Sequence, residues 1–542
     1  MLSGARETPA SKLFRLFIKI SISLVGTLKF NSKPASRDMI KILNVQYCCF
    51  VLCISLFVGF AFTLSNYIHV PMAGAGEILL NIFHFLVVLA GIFVLNYLIS
   101  LSRYLFAVVF PVFVLALAFI SFFVYSQNLT LTTSVIDAAL HNDIRTSADL
   151  FTWPLLLFVF AVLFIALLAV WFRFKKVSFR WRRFEVLMVV ILVGGVYGIN
   201  KMRFNTVVQR LPFSLYYVGK QYFLQQEDVS KRRIPVGTDA VTDSDSLTVI
   251  LVIGEAYRSD HASLNGYSRP TNRLLAKQNV VSYRNIYSEW THTNSSVPHI
   301  LTRSDSVNHC PAKQEQSFIS IFNRCGFSSF WIANQEPAAS YISFVKEAQT
   351  LWYVNPGKSV YLFNKKWLDT DNLKYLRMGL EHENKRKLIV IHTIGSHWWY
   401  NDHFTDNFAV FKPILDSKVL SPSKKEQIIN SYDNTLVYTD YFLNEIIRSI
   451  QPLNSCMIYL SDHGESLGEN DMWLHAQDNG PEHYPACFFW FSEKYIRNYP
   501  SVYRNILQNK EMRWRTEFLF ASILSIGRIK TASQNKACDI TR

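Results

Sequence analysis

Apolar residues are arranged along this chain in two regimes. Up to about residue 200 they form long unbroken runs, at roughly 45–66, 77–100, 104–126 and 151–172, each reaching the roughly 20 residues a helix needs to cross a bilayer. A fifth run, 184–200, is near the lower limit of about 17 residues and carries Glu185 at one end; it is counted as a span. Beyond residue 246 the runs shorten to strand length: Leu247–Ile253, Phe327–Ile332, Lys387–Ile391 and Cys456–Ser461. They alternate with helical stretches, the longest at 424–450, and that alternation predicts a largely parallel sheet covered by helices on both faces. The pattern therefore divides the chain into an α-helical membrane domain of five spans (1–200), a polar, partly helical connector with basic interfacial helices (201–245) and an α/β domain (246–542). The polar tail from about Lys530 is expected to fray.

Charge orients the spans. Arg6, Lys12, Arg15, Lys19, Lys29, Lys33, Arg37 and Lys41 precede the first, Arg103 lies between the second and third, and Arg173, Lys175, Lys176, Arg180, Arg182 and Arg183 lie between the fourth and fifth. The 127–150 loop carries one Arg and three Asp. Short loops rich in Lys and Arg stay in the cytoplasm, so the N-terminus is inside and everything after residue 200 is outside a bacterial inner membrane, in the periplasm. No cleavable signal peptide is evident at the start. The net charge of +15 does not point to nucleic acid, which such a domain rarely meets. Lys201, Arg203, Arg210, Lys220, Lys231, Arg232 and Arg233, just outside the last span, suit anionic headgroups instead. Among the cysteines, Cys48, Cys49 and Cys53 fall inside the first span, Cys456 and Cys487 read as small buried residues, and an oxidising compartment permits Cys310 and Cys325 to pair.

The chemistry gathers at strand ends. Leu247–Ile253 runs into Gly254-Glu255, and Cys456–Ser461 runs into Asp462-His463-Gly464-Glu465. Open α/β sheets collect their chemistry beyond the carboxyl ends of the strands, so Glu255, Asp462 and His463 can converge. Two carboxylates, one imidazole and a hydroxyl oxygen suit four-coordinate zinc better than calcium. The hydroxyl is expected from Ser288-Glu289-Trp290-Thr291-His292-Thr293-Asn294-Ser295-Ser296-Val297-Pro298, with Thr291 as the nucleophile ahead of a helix whose N-terminus favours phosphoryl groups.

These residues carry a resemblance. Val252-Ile253-Gly254-Glu255, Arg258, Asp260-His261 and Ser263-Leu264-Asn265-Gly266-Tyr267-Ser268-Arg269, then Thr291 to Pro298, Asn430-Ser431-Tyr432-Asp433-Asn434 and Asp462 to Glu469, resemble in order the phosphoethanolamine transferases of the alkaline phosphatase and sulfatase superfamily. That family includes the lipid A modifying enzymes associated with polymyxin resistance, and five N-terminal spans fit it. The resemblance implies a sulfatase-like α/β sandwich and a zinc-dependent transferase; a monomer is expected. Phosphoethanolamine would move from phosphatidylethanolamine to lipid A or lipopolysaccharide core, by in-line attack of Thr291 that releases diacylglycerol. It implies Glu255, Thr291, Asp462 and His463 as zinc ligands, His397 and His475 as groups near the substrate phosphate, and Glu465 as their support. Asn142 and Thr146 resemble the donor-binding Asn and Thr, with the acidic partner shifted to Asp149.

The chain also departs from the family. Glu289 and His299 stand where the better-known lipid A enzymes place Cys, and the family's Lys near the site has no clear match in Asn334-Gln335-Glu336-Pro337. Competing readings are a superfamily hydrolase, a glycerophosphate transferase resembling lipoteichoic acid synthase, and an inactive membrane scaffold. No Cys/Ser-x-Pro-x-Arg sulfatase motif surrounds Thr291, and the intact ligand set argues against the scaffold.

Overall fold

The computed structural model describes residues 44–68, 75–127, 150–179, 183–202, 207–226, 233–305, 307–335, 340–354, 366–417 and 420–542, with isolated positions between 131 and 140. Two compact units result, one made of the chain up to Leu129 with Trp153–Tyr217, the other of Thr130–Thr152 with Val218–Arg542.

The first unit contains α1 (Val45–Val58, continued by a π-helical turn to Thr63), α2 (Ala75–Ser100), α3 (Arg103–Gln127), α4 (Trp153–Lys175) and α5 (Arg183–Met202). All five are long and apolar enough to cross a membrane. The short fifth run is thus a full helix, and Glu185 near its start is tolerated because its buried carboxylate accepts hydrogen bonds from Asn44 and Tyr97. The unit's core is built from Tyr47, Val51, Val58, Val88, Phe106, Phe110 and Leu117. On α4 and α5 many apolar side chains, Leu157, Phe160, Phe164, Val190 and Ile191 among them, are exposed, as lipid-facing positions require. A sixth helix, α6 (Phe213–Gln226), follows, and the division between the units falls inside it.

The second unit is built on a seven-stranded sheet. Its strands are β1 (Leu247–Gly254), β2 (Val281–Tyr283), β3 (Ser328–Ala333), β4 (Thr350–Tyr353), β5 (Arg386–His392), β6 (Ser455–Ser461) and β7 (Cys487–Phe491), in the order β2-β7-β6-β1-β5-β3-β4. All neighbours are parallel except β7, which is antiparallel to both β6 and β2. Every residue of β1 is buried, which is why the strand reads as a continuous apolar run rather than an alternating one. Its Val249, Leu251 and Ile253 enter one core with Val297, Ile300 and Leu301 of α7 (Thr293–Leu301), while Ile250 and Val252 enter the other with Ile428, Leu436, Leu443 and Ile447 of α8 (Lys425–Ile450). Each such fully buried aliphatic side chain contributes roughly 1.5–3 kcal/mol.

Three expectations are corrected. The C-terminal tail is docked rather than frayed: Ile540 is fully buried, and Asn505 and Asn509 donate to the carbonyls of Thr541 and Ile540. All eight cysteines are free, with Cys310 exposed and Cys325 buried, so that permitted pair does not form. Arg233 faces protein rather than headgroups, donating to Ser343 and to the carbonyls of Ala312 and Glu315 with its guanidinium over the Phe344 ring. Arg203, Lys231 and Arg232 lie outside the described residues.

Candidate active site

The site forms where β1 and β6 end. These parallel neighbours are in register at Gly254 and Ser461, so the next residues, Glu255 and Asp462, emerge side by side. Gly254 is required there, because a Cβ would lie 2.2 Å from the Tyr459 hydroxyl. Beyond the strand, Ala256 adopts a left-handed φ of 56° and its N–H donates to Asp462 Oδ1, as does the N–H of His463. Tyr432 of α8 pins the same turn, accepting from the Arg258 N–H and donating to the Ala256 carbonyl.

Glu255, Asp462 and His463 are all fully buried. His463 Nδ1–H donates to the Gly464 carbonyl at 2.7 Å, which turns Nε2 inward toward the two carboxylates. That Nε2 lies 3.3 Å from Glu255 Oε1 and 3.5 Å from Asp462 Oδ2. None of these three atoms makes a hydrogen bond. Buried polar atoms without partners are costly, and two carboxylates with one imidazole leave excess negative charge in a closed pocket. Burial disfavours the charged imidazole, but Asp462 and Glu255 outweigh it and raise the His463 pKa to about 10. Burial together with the Glu255 charge pushes Asp462 up to about 6. A dication of the zinc class fits this donor set, since it would occupy the three unpartnered atoms and cancel the charge.

The hydroxyl that reaches this cluster is not the expected one. Thr293, first residue of α7, donates to Glu255 Oε2 at 3.0 Å, is half-buried, and lies close enough to Asp462 to favour its ionised form. Thr291 is buried, and its carbonyl accepts the Ala476 N–H at 2.9 Å, so it braces the loop that carries His475. The sequence pattern points to Thr291 ahead of the helix; in the structure the chain enters α7 through an extended His292, so Thr293 opens the helix beside Glu255. Gln335, in the segment without a match to the family's Lys, donates to Glu255 Oε2 at 2.9 Å and to the Thr393 carbonyl at 2.7 Å. Glu255 is thereby fixed through one oxygen, with the other left for a metal.

His475 joins the cluster, with ligand atoms of Glu255, His463 and His475 all within 4.8 Å of one another. Its Nδ1 bonds Glu465 Oε2 at 2.8 Å, and Tyr400 donates to the other Glu465 oxygen, so buried Glu465 orients His475 and is itself saturated by protein. Burial opposes charging of His475, but Glu465 raises its pKa above the ordinary value. The flanking Leu474 and Ala476 both sit at φ of 67°, conformations that non-glycine residues hold only when surrounding structure imposes them. His397 donates from Nδ1 to the Trp398 carbonyl, which frees Nε2, and its ring lies 6.1 Å from that of His475. The loop bearing it is tied down by buried Asp369, which accepts the N–H groups of Ile394 and Gly395. Asn142 and Thr146 lie outside the described residues.

Residues 248–526 match the sulfatase family. The chain belongs to the sulfatase family. Within it, phosphoethanolamine transferase EptA of Escherichia coli K12 is 27% identical over 463 residues, which cover 79% of this chain and 84% of that relative. The Kdo(2)-lipid A phosphoethanolamine 7''-transferase of Salmonella typhimurium is 25% identical over 476 residues, covering 79% of this chain and 83% of its own length. The solved structure of the integral membrane lipooligosaccharide phosphoethanolamine transferase A from Neisseria meningitidis matches with a TM-score of 0.79 at 23% identity, covering 91% of this chain and 98% of that one. The sulfatase-family fold and the apolar helices that precede it are thus both found in that structure.

Proposed function

We propose that this sulfatase-family protein is a phosphoethanolamine transferase of the bacterial inner membrane, with its catalytic domain in the periplasm. It moves phosphoethanolamine from phosphatidylethanolamine to lipid A or the lipopolysaccharide core, acts as a monomer, and uses Thr293 rather than Thr291 as nucleophile. The observation that carries this reading is the hydrogen bond from Thr293 to Glu255 beside three unpartnered metal-ligating atoms. The relatives' activities and the five apolar helices support it, because donor and acceptor would both reside in membranes.

Zinc held by Glu255, Asp462 and His463 would lower the pKa of the Thr293 hydroxyl and offset charge developing on phosphoryl oxygens. Thr293 Oγ gives its proton to solvent and attacks the donor phosphorus, forming the Oγ–P bond as the bond to the diacylglycerol oxygen breaks. His475, whose Nδ1 is held by Glu465, gives that oxygen its proton from Nε2, and the His397 ring lies beside it, 6.1 Å from that of His475. An acceptor hydroxyl then displaces Thr293 from phosphorus, its proton passing to the His475 imidazole that the first step left neutral, and Thr293 Oγ takes back a proton from solvent. Asn142 and Thr146 remain candidates for holding the donor headgroup.

The test is intact-mass spectrometry of the full-length protein after incubation with phosphatidylethanolamine vesicles. Wild type and Thr291→Ala are expected to gain the mass of one phosphoethanolamine, and Thr293→Ala none. An adduct on Thr293→Ala overturns the nucleophile, and its absence from zinc-loaded wild type overturns the donor.

A further inference from the structure

A second charged site lies in the membrane unit, at the end that the positive residues assign to the cytoplasm. A cleft of about 460 Å3 opens where the loop after α2 meets the end of α4, lined by Arg103, Arg173, Lys175 and Lys176 on its charged side and by Phe174 and Phe179 on its apolar side. Arg173 is buried, and its guanidinium donates to the carbonyls of Ser100, Leu101 and Val177. Carbonyl dipoles orient that group but carry no net charge. Among the described residues Arg103 bonds the Tyr104 hydroxyl alone, with its guanidinium about 5 Å from the Tyr104 and Phe174 rings. Among the described residues no carboxylate forms an ion pair with any of the four cations, and the nearby buried acid Glu185 is taken up by Asn44 and Tyr97. Topology accounts for cations on this side of the membrane. It does not account for four of them around a cleft, one buried, with no anion paired to them among the described residues. A buried cation lacking a counter-charge is costly, and an anion in the cleft removes that cost.

We infer that this cleft binds the phosphodiester headgroup of an anionic phospholipid from the cytoplasmic leaflet, with the cations on the phosphate and Phe174 and Phe179 beside the start of the acyl chains. Basic pockets between spanning helices on this side are suited to such headgroups. The site takes a different class of lipid, on a different face of the membrane, from the transfer reaction proposed above, so its failure leaves that reading untouched.

The experiment uses the full-length protein in detergent, exposed to equal amounts of phosphatidylglycerol and phosphatidylcholine of matched chain length, with bound lipid read by native mass spectrometry. Wild type is expected to retain phosphatidylglycerol at least ten-fold over phosphatidylcholine. The triple variant Arg103→Gln/Lys175→Gln/Lys176→Gln is expected to lose that preference while keeping wild-type transfer activity. Equal retention of the two lipids by wild type overturns the inference even if the variant fails to fold, and an undiminished preference in a folded variant overturns it as well. Millimolar inorganic phosphate is expected to leave the lipid in place; displacement of the lipid by phosphate alone identifies a free-anion site and overturns the lipid assignment.

Discussion

At the scale of single residues, the centre of this protein is a division of labour within one carboxylate. Glu255 gives Oε2 to Thr293 and Gln335 and keeps Oε1 free of hydrogen bonds. Gln335 therefore acts on a candidate metal ligand without supplying a ligand atom itself, and losing it frees Glu255 to rotate. Gln335→Ala is expected to weaken zinc binding by about 10–100-fold, the usual cost of deleting such a support, as measured by competition with a chromophoric chelator. Unchanged affinity would show that Thr293 alone fixes the carboxylate. The same logic separates Glu465 from the substrate-facing groups: its two oxygens are spent on His475 and Tyr400, so its contribution runs through His475.

At the scale of elements, α8 does more than cover one face of the sheet. Tyr432 ties it to the turn after Glu255, and Asp433 bonds His261, Tyr267 and Arg269, so the motif Asn430 to Asn434 braces the first site loop rather than entering the site. Farther along, buried Asp440 accepts the N–H groups of Leu274 and Leu275, and burial raises its pKa to about 6 despite those bonds. A carboxyl group whose folded pKa lies above its unfolded value near 4 stabilises the fold fully below about pH 4, and that contribution is lost as pH rises through 6. The shift corresponds to about 3 kcal/mol. Thermal unfolding of wild type and Asp440→Asn between pH 4 and 7 is expected to show a smaller fall in stability across pH 4–6 in the variant. Parallel curves would assign the pH dependence to other groups.

At the scale of the whole molecule, three distant segments meet at one closed cluster of negative charge, and a metal bound there would link folding to the proposed catalysis. Removal of metal with dipicolinate is expected to abolish transfer and lower the melting temperature by several degrees, with both restored by zinc, because a ligand bound only by the folded state stabilises it. An unchanged melting temperature, with elemental analysis showing the metal gone, would mean that the cluster tolerates its own charge. The sequence by itself determined the five apolar helices, the core strands and the positions of Glu255, Asp462 and His463. Run length, strand period and the residues just past a strand end are local properties, and burial on both faces writes β1 and β6 as unbroken apolar runs. Only the tertiary structure brought Thr293 rather than Thr291 to Glu255, brought Gln335 to the same carboxylate, and docked the polar tail. Each of those depends on which atom faces a point fixed by other segments, and two threonines two residues apart look alike until the helix they introduce is set against the sheet.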